Sequence, residues 1–217
     1  MRVHQPTPSE LSSFCYGMYS MYEFGRELNP NVAVFPLRGA HPFSVAYQRI
    51  AGMNNERTPD FLLLPLGTFT NLETNTERGL TTPEKTEVVK QSLQDYFATH
   101  PEARRILLVD EVMNGGTILQ HYHLINRFLR ENVPDAELRA CAIEHGQHEP
   151  RGKYKNQSVR HGFHTIRVDS LFVMDREQYL PKVTRNGVFA VEIQDEKLEG
   201  ILEQLEKTHD SRAQLKK

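Results

Sequence analysis

The stretch Ile106-Leu107-Leu108-Val109-Asp110-Glu111-Val112-Met113-Asn114-Gly115-Gly116-Thr117 decides how this chain is read. Its leading apolar residues have the form of a strand buried on both faces, as in parallel sheets. Two adjacent carboxylates stand at the strand's carboxyl end, where open α/β sheets place their ligands. A short loop then opens a helical pattern. Carboxylates accept hydrogen bonds from hydroxyl groups, and glycine-exposed amides at a helix start attract an anion. The combination suits a molecule carrying both sugar hydroxyls and a phosphate.

Two other readings share parts of this pattern. An apolar run ending in Asp-Glu is also the form of a Walker B strand. That would require an upstream phosphate loop of the form G-x-x-x-x-G-K-S/T, and the chain has none. Gly152-Lys153 lies downstream and is followed by Tyr154. The plainer alternative is an ordinary strand whose acidic end merely caps a helix.

Outward from this stretch, strand and helix patterns alternate, which argues for a parallel α/β sheet. Leu11 to Leu28 reads as a helix starting near Pro8-Ser9 and ending at Asn29-Pro30, its Tyr16, Tyr19, Tyr22 and Phe24 packing rather than binding a cofactor. Val32 to Leu37 is a first strand, followed by Arg38-Gly39-Ala40 and a helix from about Pro42 to Ala51. Phe61 to Leu66 is a second strand and Glu84 to Thr99 a helix. After the motif strand a helix runs from Thr117 to Glu131, with further strands at Leu138 to Ile143 and Thr165 to Val168. Beyond Asp175 the pattern turns irregular, with a candidate strand at Val188 to Ile193 and an amphipathic helix from Glu196 to Thr208.

Between the second strand and the next helix lies Gly67–Pro83, long, polar and rich in Thr and Asn. Compact domains rarely carry so long a structureless connection unless it is a lid or a binding loop. Arg78 is the basic residue inside it.

At 217 residues the chain is read as one domain, and 38% hydrophobic content suffices for a packed core. No apolar run approaches the roughly 18–20 residues that span a membrane, and the N-terminus lacks the apolar core of a signal peptide. Cys15 and Cys141 are too few for a disulfide framework. A cytoplasmic protein is therefore the expectation. The net charge of −2 gives no electrostatic reason to expect nucleic-acid binding. Arg151, Lys153, Lys155 and Arg160 crowd one stretch, read as a solvated loop or as a loop facing an anionic substrate. The histidine pairs His121–His123, His145–His148 and His161–His164 lack companions at a recognised zinc spacing, and are read as structural or surface groups.

The motif stretch resembles the phosphoribosyl-pyrophosphate (PRPP) signature of type I phosphoribosyltransferases. That signature is an apolar run, two acidic residues, an apolar residue and a small phosphate loop ending in Thr. The resemblance implies an α/β fold with a parallel sheet of about five strands flanked by helices. The core would span about 30–175, and a small hood would come from 1–29, 176–217 or both. It implies that Asp110 and Glu111 bind the ribose hydroxyls and that Met113, Asn114, Gly115, Gly116 and Thr117 cradle the 5′-phosphate. Asn114 stands where relatives carry an Asp proposed as a general base, and Asn cannot take a proton. By the same resemblance, Arg38-Gly39 would bind pyrophosphate and Arg78 would reach it from a closing loop. Phe172 or Val173 would stack on the acceptor, and Asp175 with Glu111 would lie near Mg²⁺. The Lys that the purine-specific subfamily uses to read the base has no counterpart after Ile143, where Glu144-His145 follows. The implied partners are PRPP and a nitrogenous acceptor, most simply a nucleobase, with no nucleic acid and no membrane. A homodimer is the implied assembly. The rival reading is a catalytically inactive relative that binds a nucleotide or protein partner for regulation or neutralisation.

Overall fold

The structure is a computed structural model. It describes residues 7–37, 39–66, 68–71, 76–112, 115–146, 152–169, 182–184, 187–189, 200 and 202–209. The ordered elements are α1 (Pro8–Leu28), β1 (Val32–Pro36), α2 (His41–Met53), β2 (Asp60–Leu64), β3 (Thr68–Asn71), β4 (Thr76–Gly79) and α3 (Thr82–Thr99). They continue through β5 (Arg105–Val112), α4 (Gly116–Asn132), β6 (Glu137–His145), α5 (Gly152–Arg160), β7 (His164–Val168), β8 (Lys182–Thr184) and β9 (Gly187–Phe189).

Five strands form one all-parallel sheet in the order β2-β1-β5-β6-β7, flanked by helices. This is the α/β architecture that the sequence predicts. Both faces are covered, so β1 and most of β5 are apolar and buried along their length. Alternation along β5 divides the core in two. Leu107 and Val109 join α1, α2 and the helical segment 202–209 on one face. Ile106, Leu108 and Val112 join α3 and α4 on the other.

Strand order places the switch of chain direction between β1 and β5, because β1 is followed by its neighbour on one side and then by β5 on the other. Ligands of such sheets bind in the crevice at that point, outside the strands' carboxyl ends. The ladder there opens early. Pairing between β1 and β5 stops at Val34 opposite Leu108, although the strands run on to Pro36 and Val112. On its other side β5 stays paired with β6 through Val112 opposite Glu144.

Three expectations change. The stretch 67–83 is not structureless: β3 and β4 pair antiparallel, with Phe69 opposite Arg78, and β3 also pairs with β8 in a second, four-stranded sheet. Its Thr-rich alternation carries no apolar run, so it reads as loop. The basic stretch after His148 contains a helix, α5, which buries Tyr154 and Ser158. Tyr16 does not pack: it is 58% exposed, while Tyr19 and Tyr22 are buried and Phe24 stacks on His164 with ring centroids 4.3 Å apart. The candidate strand at Val188 to Ile193 overlaps β9 at Val188 and Phe189, and 190–193 lie outside the described residues. No helix among the described residues is long and apolar enough to cross a membrane.

Candidate functional site

Two strand-to-helix turns border the crevice. After β1 the Ala40 N–H donates to the Pro36 carbonyl at 3.2 Å and the chain enters α2. After β5 it turns through Gly115 into α4. Neither helix start has a side-chain cap: the N-cap residues are Ala40 and Gly115. At α2 the first turn offers little to an anion, because Pro42 has no N–H and the Phe43 N–H donates to the Ala40 carbonyl at 3.2 Å, whereas at α4 the helix dipole favours an anion beside the first turn. Gly116 and Thr117, the first residues of α4, are exposed at this edge.

The adjacent carboxylates part company because successive residues of a strand point to opposite faces. Glu111 lies on the face of α1 and α2, and its carboxylate packs against Gly39, where any Cβ would overlap it. A larger residue at position 39 would therefore displace the Glu111 carboxylate from this place. Asp110 turns to the α4 face and is 3% exposed. One of its oxygens, Oδ1, accepts the Glu111 backbone N–H at 2.9 Å. The other, Oδ2, accepts from Nδ1 of His121 at 2.9 Å, and both side chains are buried. Because a carboxylate can only accept, Nδ1 is the ring nitrogen carrying the proton.

Gly115 is fixed twice over. Its φ of 82° lies in the left-handed region, and a Cβ there would overlap the ring of Tyr154. Tyr154, 1% exposed, holds α5 against the loop from the α4 side. Burial, with Glu144 next in effect, pushes its phenol above the ordinary tyrosine range.

Of the residues singled out from the sequence, the structure brings together Gly39, Glu111, Asp110, Gly115, Gly116 and Thr117 at this edge. Arg78 is placed in β4 by its backbone register. Arg38, Met113, Asn114, Phe172, Val173 and Asp175 lie outside the described residues. Sequence reasoning missed two members of the site. His121 was legible in principle, since it falls on the buried stripe Ile118, Tyr122, Ile125 and Leu129 of α4. Tyr154 carried no local signal, standing among Lys153, Lys155 and Asn156.

No family model matches the chain, and no curated protein matches it. Among solved structures it is similar to a purine phosphoribosyltransferase from Pyrococcus horikoshii Ot3, with 10% sequence identity and a TM-score of 0.36, covering 72% of this chain and 84% of that one. A likeness of that size leaves the functional reading to the geometry of the crevice.

Proposed function

We propose that the crevice binds a phosphorylated pentose, PRPP, and transfers its phosphoribosyl group to a nitrogenous acceptor, most simply a nucleobase. The observation that carries this reading is the switch-point crevice itself. Two helix starts without side-chain caps border it, each beside a glycine, and the Glu111 carboxylate stands over one of them. The dipole at the exposed start of α4 suits a 5′-phosphate, and the Glu111 carboxylate beside Gly39 is an acceptor for ribose hydroxyls.

In the reaction the bond from C1 of the ribose to the pyrophosphate oxygen breaks, its electron pair leaving with pyrophosphate. A bond from C1 to the acceptor nitrogen forms, and the acceptor's proton is released. The chain needs no covalent nucleophile for this. It must hold the sugar, orient the acceptor and exclude water. Gly115 to Thr117 would take the 5′-phosphate, Glu111 the ribose hydroxyls, and Arg38-Gly39 with Arg78 the pyrophosphate. Asn114 would hydrogen-bond the substrate, and Phe172 or Val173 would stack on the acceptor.

Mg²⁺ fits the chemistry of this edge, because it commonly takes one or two carboxylates together with substrate phosphates. Among the described residues no group of three or more His, Cys, Asp or Glu is placed to hold a metal ion by itself. Glu111, with Asp175, would hold Mg²⁺, which when bound neutralises charge on the departing pyrophosphate.

Asn114 favours a second reading, since an amide cannot serve as the general base: a site that binds the same ligand without transfer, for regulation or neutralisation. One titration separates the outcomes. PRPP with Mg²⁺ at about 100 times its dissociation constant should add about 2.7 kcal/mol of stability. Glu111→Gln should lose that gain while melting normally without ligand. If PRPP leaves wild-type stability unchanged, the proposal fails. If it stabilises the protein but no base in a panel releases pyrophosphate, the non-catalytic reading stands.

A further inference from the structure

We propose that His121 is a positioning residue for this crevice, and that Asp110 serves with it as a brace rather than as a ligand for the sugar. The ligand-facing carboxylate is then Glu111 alone. The inference rests on the phosphoribosyl reading for the identity of the ligand, though not for the brace.

Three observations carry it. Asp110 and Glu111 point to opposite faces of the sheet, so they do not present side by side. Both Asp110 oxygens are already engaged, one by the Glu111 N–H and one by His121, and the side chain is almost wholly buried. The contact also ties the end of β5 to the second turn of α4, clamping the loop between them at both ends. That loop ends at Gly115 and leads into Gly116 at the start of α4, and glycine gives an unclamped backbone the widest freedom. A brace across it holds the first-turn amides of α4 and the Glu111 backbone in one arrangement before any ligand arrives.

The choice of histidine fits this role. Nε2 is buried and has no hydrogen-bond partner among the described residues. A buried polar atom without a partner is a cost that leucine would avoid, so the ring is explained by what Nδ1 does. An asparagine side chain can place an N–H near the position of Nδ1, whereas leucine fills the space and donates nothing.

The experiment compares His121→Leu, His121→Asn, Asp110→Asn and Glu111→Gln in the full chain. Amide hydrogen exchange in the absence of ligand reads the brace directly. His121→Leu should speed exchange at Glu111, Gly116 and Thr117 by about tenfold or more relative to amides of α1, and His121→Asn should restore it. Calorimetry with PRPP and Mg²⁺ reads the consequence. His121→Leu should weaken binding about tenfold, with rescue by His121→Asn. Asp110→Asn, able to keep both contacts once the imidazole proton moves to Nε2, should bind within about threefold of wild type, whereas Glu111→Gln should not bind.

Unchanged exchange in His121→Leu would overturn the brace. Asp110→Asn losing binding as completely as Glu111→Gln would overturn it too, by making Asp110 a ligand for the sugar. Should His121→Leu fail to fold, the contrast between Asp110→Asn and Glu111→Gln decides. If wild type does not bind PRPP, the phosphoribosyl reading fails while exchange still decides the brace.

Discussion

The starts of α1 and α3 differ from the starts of α2 and α4. Thr7 and Glu10 cap α1 reciprocally: the Thr7 hydroxyl accepts the Glu10 N–H at 3.3 Å, and the Glu10 carboxylate accepts the Thr7 N–H at 2.8 Å. Thr81 and Glu84 repeat the arrangement at α3, at 3.4 and 2.8 Å. These ends satisfy themselves. The other two begin at Ala40 and Gly115 with no capping side chain, and they border the crevice between β1 and β5. The same structural problem, the N–H groups of a first turn, is met by a reciprocal side-chain cap at one pair and without a side-chain cap at the other.

The largest expected effect tests what Gly115 is for. Gly115→Ala forces an alanine into a left-handed φ and drives its Cβ into the Tyr154 ring. Strain and overpacking together should cost about 3 kcal/mol, read from urea unfolding. In a Tyr154→Ala background the overlap is gone, so the added cost of Gly115→Ala should drop to about 1–2 kcal/mol. Equal penalties in the two backgrounds would show that Tyr154 does not constrain the loop.

A smaller effect belongs to the capped side of the comparison. Thr81→Ala removes one half of a capping box and should cost about 1 kcal/mol. PRPP affinity should stay unchanged, because α3 closes its own start. A loss of affinity matching that of a crevice substitution would erase the distinction between the two kinds of helix start.

The same contrast explains what was legible in the sequence. The buried strands of the parallel sheet announce themselves, since apolar runs such as Val32 to Phe35 and Ile106 to Val109 have few other uses. The glycine loop after β5 is equally visible, because its residues are adjacent in the chain. Pro8-Ser9 marks the start of α1, whereas the start of α3 reads late from the sequence, at Glu84 rather than Thr82, although Thr-x-x-Glu stands at both. The hairpin of β3 and β4 and the helix α5 lack apolar periodicity, and partners distant in the sequence hold them in place. The Asp110–His121 contact is legible only when strand alternation and the α4 stripe are combined. Each rule alone gives a face, and together they give a meeting point.

The smallest expected effect concerns acid, and it too begins at an uncapped helix start. His41 opens α2, and burial holds its pKa below the ordinary 6.5. A cation in the first turn of a helix is also disfavoured by the dipole. The unfolded chain therefore takes up this proton more readily than the folded one, and stability must fall as pH drops below about 6.5. Above that pH the residue is neutral in both states and contributes no slope. His164, held down mainly by burial against Phe24 with Glu27 opposing, adds to the trend in the same direction. His41→Phe removes the titration, so its urea midpoint should fall less than that of wild type between pH 7.5 and pH 5.5. An identical fall in both proteins would place the acid sensitivity elsewhere. It would leave the start of α2 distinguished from that of α1 by its missing cap alone.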